Sequence, residues 1–89
     1  WHTNICINTS CEHMVPMSSV SFKDDDFVLY ILQSNNMTSE REHVNCVQSY
    51  DELIKQSSLK RTYYYGKKRL AGQNNEIYER YMVIGRRND

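Results

Sequence analysis

Glycine and proline are scarce in this chain: the glycines are Gly66, Gly72 and Gly85, and the proline is Pro16. Three scattered glycines supply no loop to cradle a phosphate, and none flanks a serine in a Gly-x-Ser-x-Gly elbow. The common nucleotide-binding and serine-hydrolase motifs are therefore excluded. No apolar run approaches the roughly 18 residues of a membrane-spanning helix. The longest, FVLYIL at 27–32, has the length of a strand. Net charge is also missing, and so are internal repeats and low-complexity tracts. The chain starts at Trp1 and retains no signal peptide, which reads as a processed product or an excised domain.

What is present points to one small folded domain. Eighty-nine residues suit a single domain. Aromatics make up 11% of the chain, most of them tyrosine, and disordered chains are poor in aromatics. So small a domain has a thin stability margin, which a disulfide, a metal or a partner chain would widen.

Zero net charge hides an asymmetry. Residues 1–53 carry only Lys23 and Arg41 against eight acids, whereas residues 54–88 carry nine cations against Glu76 and Glu79. The simpler reading is that the halves neutralise each other across the fold. The alternative is a basic binding surface in the C-terminal half.

Cys6, Cys11 and Cys46 suggest an oxidising compartment, with one intrachain bridge and one thiol left for a partner chain. Joining Cys46 to Cys6 or Cys11 closes a loop of about 35 to 40 residues, worth roughly 3–4 kcal/mol in the chain-entropy model. Zinc is the competing reading, through Cys6, Cys11, Cys46 and either His43 or His13, though the usual Cys-x2-Cys spacing is absent. No cofactor is expected otherwise. His2, His13 and His43 read as surface residues. Glycosylation sequons begin at Asn8 and Asn36, both in expected loops; a chain rich in Asn, Ser and Thr also yields such triplets by chance. Together these features favour a secreted or ectodomain origin.

The expected fold class is α+β: a small antiparallel sheet of two hairpins, with a short middle strand as an option, packed on one helix. Residues 1–17 form an irregular arm tethered by cysteine. Residues 18–34 form a hairpin around the turn Asp24–Asp26, and the unbroken apolar character of FVLYIL predicts a central strand buried on both faces. Ser49 and Glu52 fit a helix-capping box, which places the helix at 49–59. HVNCV before it is expected as a short strand, the alternative being one long helix over 40–57. Residues 61–86 form a second hairpin around AGQNN.

That last hairpin contains the stretch YYYGKKR. A strand there puts Tyr63, Tyr65, Lys67 and Arg69 on one exposed face and turns Tyr64 and Leu70 towards the helix. With Arg80 these form the candidate binding set, because Tyr and Arg combine large contact area with polar ends. The expected function is a secreted protein-interaction module that contacts another protein chain. It reads as one subunit of a disulfide-linked heterodimer, such as a toxin, an effector or a receptor-binding subunit. The alternative is nucleic-acid binding or a small metal-independent endoribonuclease, with Glu76 or Glu79 as base, Arg80 on the phosphorane and tyrosines stacking bases. GKKR at 66–69 and GRR at 85–87 also carry the pattern of dibasic processing sites.

Overall fold

The structure is a computed structural model that describes residues 4–22, 27–37, 44–72 and 77–88. It has the α+β architecture: a four-stranded sheet and one helix. The strands are β1 (Ile5–Asn8), β2 (Leu29–Asn35), β3 (Arg61–Ala71) and β4 (Ile77–Arg86), and the helix α1 is Tyr50–Gln56. Their order across the sheet is β1-β2-β4-β3. The sheet is mixed, because β1 runs parallel to β2 while β2–β4 and β3–β4 are antiparallel.

Apart from the short β1 the arm is irregular, as expected, with only small 3-10 turns, whereas the first hairpin takes another form. Met17–Ser19 is a single 3-10 turn, and the described residues after it, 20–22, pair with no strand. The apolar groups of Val20 and Phe22 pack against the core instead, Phe22 lying 6.4 Å from the ring of Tyr30. The strand that pairs with this side of β2 is β1, from within the arm. HVNCV also departs from its expected strand over the described residues 44–47. Val44 and Asn45 donate their N–H groups to Glu12 O, and Val47 donates to Asn35 O, so this backbone is satisfied by loop contacts. The Asp24–Asp26 turn, His2, His43 and the Gln73–Glu76 end of the hairpin loop lie outside the described residues.

Helix α1 sits where its capping signal put it. Ser49 Oγ accepts the N–H of Glu52, and Glu52 Oε2 accepts the N–H of Gln48. At the far end Ser58 has φ 61°, while Ser58 N donates to Lys55 O and Leu59 N to Ile54 O. This is the paired-bond stop that usually recruits glycine for its left-handed residue.

Strand alternation assigns the two sheet faces. Tyr30, Leu32 and Ser34 of β2 stand beside Tyr81, Val83 and Gly85 of β4 on one face, and all are buried. Leu53, Leu59, Val47, Cys11, Met17 and Val28 close over that face to make the core. Two arginines tie these elements to the sheet, Arg87 at the core face and Arg80 from the opposite face of β4. Arg87 donates to Ser57 O (3.0 Å), Val20 O (2.6 Å) and Met17 O (2.5 Å), with its guanidinium carbon 4.3 Å from the centre of the Tyr30 ring. Arg80 donates to Gln33 Oε1, Glu12 Oε1 and Thr9 O.

Candidate functional site

The opposite face of the sheet carries Ile5 and Ile7 from β1, Leu29 and Ile31 from β2, and Met82 and Ile84 from β4. The register aligns Ile5 with Leu29, Ile7 with Ile31, and Ile31 with Ile84. Tyr64 and Leu70 of β3 extend this apolar surface, opposite Ile84 and Tyr78. Ile5 is 55% and Ile7 65% exposed, and Leu29, Ile31, Met82 and Ile84 are all partly exposed. The core elements close the other face; none of those described residues roofs this one. FVLYIL therefore has apolar side chains on both faces, as its composition suggests, yet the described chain buries only one of them.

The placement of the tyrosines turns on a bulge. The β3–β4 register shifts between Thr62 and Tyr64, so that Thr62 faces Gly85 whereas Tyr64 faces Ile84. Tyr63 is the extra residue, and an extra residue reverses the sidedness of the rest of the strand. Tyr65, Lys67 and Arg69 therefore lie on the helix side, beside Val83, Tyr81 and Glu79. Tyr65 stacks on Tyr50 of α1 with ring centres 4.6 Å apart, and Lys67 pairs with Glu79 at 3.5 Å. Tyr64 and Leu70, expected to look towards the helix, lie on the uncovered face. Tyr63, Tyr64 and Tyr65 are all about half exposed.

Arg80 joins neither group as a free anion ligand. Its head group is spread over Gln33, the buried Glu12 (3.2 Å to Oε1) and the Thr9 carbonyl, which fastens the arm to the sheet. Glu79 and Arg80 are neighbours in a strand and face opposite ways, so the two cannot converge on one phosphate. The base-and-arginine pair of the ribonuclease reading is not assembled by these residues; Glu76 lies outside the described residues.

The thiols are held in ordinary packing. None of the three cysteines forms a disulfide. Cys11 is buried, its Sγ–H donating to Asn8 O, and burial pushes its pKa up to about 11. Cys46 donates to Asn35 Oδ1, and burial followed by the nearby Glu12 carboxylate raises its pKa as well. Among the described residues no group of three or more His, Cys, Asp and Glu side chains is arranged to hold a metal. Asn8, the first sequon residue, ends β1 rather than standing in a loop, and its amide nitrogen lies against the sulfurs of Met14 and Met17. Asn36 follows β2 and accepts the N–H of Glu79.

Comparison with protein-family models, with characterised proteins and with solved structures finds no match to this chain.

Proposed function

We propose that this chain is a protein-interaction module whose binding surface is the uncovered face of the sheet. One observation carries this reading: β2 is apolar on both faces, and among the described residues the core elements close only one, the arm reaching the other only at Arg80. A contiguous bare apolar surface is a common mark of a protein contact. Burying a single exposed isoleucine there stabilises a complex by about 1.5–3 kcal/mol before the costs of association.

Charge indicates the partner's chemistry. From Lys60 to Gly72 the chain carries Lys60, Arg61, Lys67, Lys68 and Arg69 and no acid. The surface is thus an apolar strip bordered on β3 by Arg61 and Lys68, while Lys67 and Arg69 lie on the helix side. It matches a protein that offers an amphipathic element with an apolar seam and an acidic flank. Such borders set orientation and association rate, while the apolar centre sets most of the affinity. A covalent link to the partner, if the module is a secreted subunit, would run through Cys6 or Cys46, because Cys11 is sealed in the core.

The test is a selection from a displayed random peptide library, with affinity measurements on Ile31→Lys. Enriched peptides should combine apolar with acidic residues, and should lose binding to Ile31→Lys while that variant keeps its fold by circular dichroism. Absence of enrichment would sink the reading, as would selected peptides that bind Ile31→Lys as tightly as the parent. A concentration-dependent dimer that Ile31→Lys dissolves would instead make the face a contact between copies of this chain.

A further inference from the structure

A groove of about 240 Å³ on the uncovered face is lined chiefly by Gln33, Tyr64, Gly66, Lys68, Leu70 and Met82, with Arg80 at its end and Lys67 and Tyr81 also on its wall. Gly66 makes room for the Tyr64 ring that walls the groove. A Cβ there would lie 2.7 Å from the Tyr64 hydroxyl and 3.2 Å from Cζ, so the tyrosine ring lies along the strand, over the glycine. Met82 sits opposite Gly66 in the register and Leu70 further along the same face. The polar groups at the base are already engaged: Gln33 accepts from Arg80 and donates to the Met82 sulfur. Lys68 is exposed, and no described carboxylate lies within ion-pair distance of it.

We infer that this groove anchors one aromatic side chain of the protein partner, with an acidic residue beside it paired to Lys68. The inference rests on the reading of this face as the binding surface. Size supports a side chain over a cofactor, since small-molecule sites usually span roughly 300–1,000 Å³ and are more enclosed. The lining selects an aromatic guest, because the Tyr64 ring and the Met82 thioether both gain from contact with a second ring. A stacked nucleobase uses similar contacts but needs a track of cations for its backbone. Alternation thins that track: Lys67 and Arg69 point to the helix side, Arg61 and Lys68 stand far apart along β3, and Arg80 and Arg86 on this face are held by Gln33, Glu12, Thr9 and Phe27.

The probe is N-acetyl-Phe-Glu-Glu amide, titrated into the full chain while backbone amide shifts are monitored. Saturable shifts are expected at Tyr64, Gly66, Lys68 and Met82. Replacing Phe by Ala should abolish them, and exchanging Glu-Glu for Lys-Lys should weaken binding about two- to fivefold, the size of one exposed charge contact. Gly66→Leu, which fills the groove, should abolish the response. Lys68→Glu, a surface change, should weaken the acidic peptide and favour the Lys-Lys one, and it keeps the test open should Gly66→Leu unfold. An absent response, an equal response to the alanine peptide, or unchanged binding to a folded Gly66→Leu overturns the inference. An oligouridylate that shifts the same amides at lower concentration overturns it in favour of nucleic acid. Display-selected peptides separate the two levels: loss on Ile31→Lys with retention on both Gly66→Leu and Lys68→Glu removes the groove and keeps the face, whereas retention on Ile31→Lys removes the face.

Discussion

Replacing Arg87 by Met keeps most of the side chain's apolar stem and removes its charge and all its donors. Among the described residues, backbone carbonyls of Met17 in the arm, Val20 after it and Ser57 at the end of α1 accept from this guanidinium. Hydrogen bonds to a charged group are worth roughly 1.5–3 kcal/mol each. The gross loss is large, but the variant no longer has to desolvate a buried cation, which recovers several kcal/mol. The net expectation is a destabilisation of about 2–4 kcal/mol, a large share of the 5–15 kcal/mol typical of a small domain. At this chain length that lowers Tm by roughly 10–25 °C. Urea denaturation monitored by tyrosine fluorescence and far-UV circular dichroism measures it, with Arg86→Met as the control. Arg86 donates to one carbonyl, Phe27 O, from a more exposed position, and its loss should cost under about 1 kcal/mol. Equal midpoints for Arg87→Met and Arg86→Met would refute the role given to Arg87 in closing the core.

The packing implies three further outcomes. Gly85→Ala should destabilise by about 1–3 kcal/mol in urea melts, since a Cβ there would meet Arg61 O at 2.4 Å and Leu59 Cδ1 at 3.2 Å; Gly66→Ala, which displaces only the end of the Tyr64 ring, should cost far less. Ser58→Gly relieves a left-handed residue at the helix stop and should raise stability by about 0.5–1 kcal/mol, with the same assay reading the gain. Stability should fall as pH rises from 9.0 towards about 11, because the unfolded chain releases the Cys11 proton before the folded one does. The raised pKa of Tyr81 acts in the same direction from 10.0 upward; Cys11→Val should flatten the fall in urea midpoints over the lower part of that range.

Local signals carried the parts of the fold that local chemistry decides. Ser49 and Glu52 marked the start of α1, and alternation along β4 put Tyr81 and Val83 on a common face, where both are buried. The central position of β2 was legible in its β-branched and aromatic run. Strand β1 was not, since ICIN is short and its pairing depends on a parallel partner 24 residues later, Leu29 for Ile5. The bulge at Tyr63 left no mark in the sequence either, and that single residue moved Tyr64 onto the uncovered face and Tyr65 onto the helix side. Arg80 and Arg87 looked like surface cations because their partners are distant carbonyls and a buried carboxylate, which no spacing rule encodes. For the same reason the GRR motif resembles a processing site, although Gly85 and Arg87 are buried.

The proposed contact is between a partner and the sheet face that the described residues leave open. It is tested most directly by mapping a display-selected peptide through backbone amide shifts and methyl contacts on the full chain. The account predicts contacts at alternate residues of neighbouring strands: Ile5 and Ile7, Ile31, Tyr64 and Lys68, Met82 and Ile84. Contacts centred instead on the helix side, at Tyr50, Tyr65 and Lys67, would contradict it.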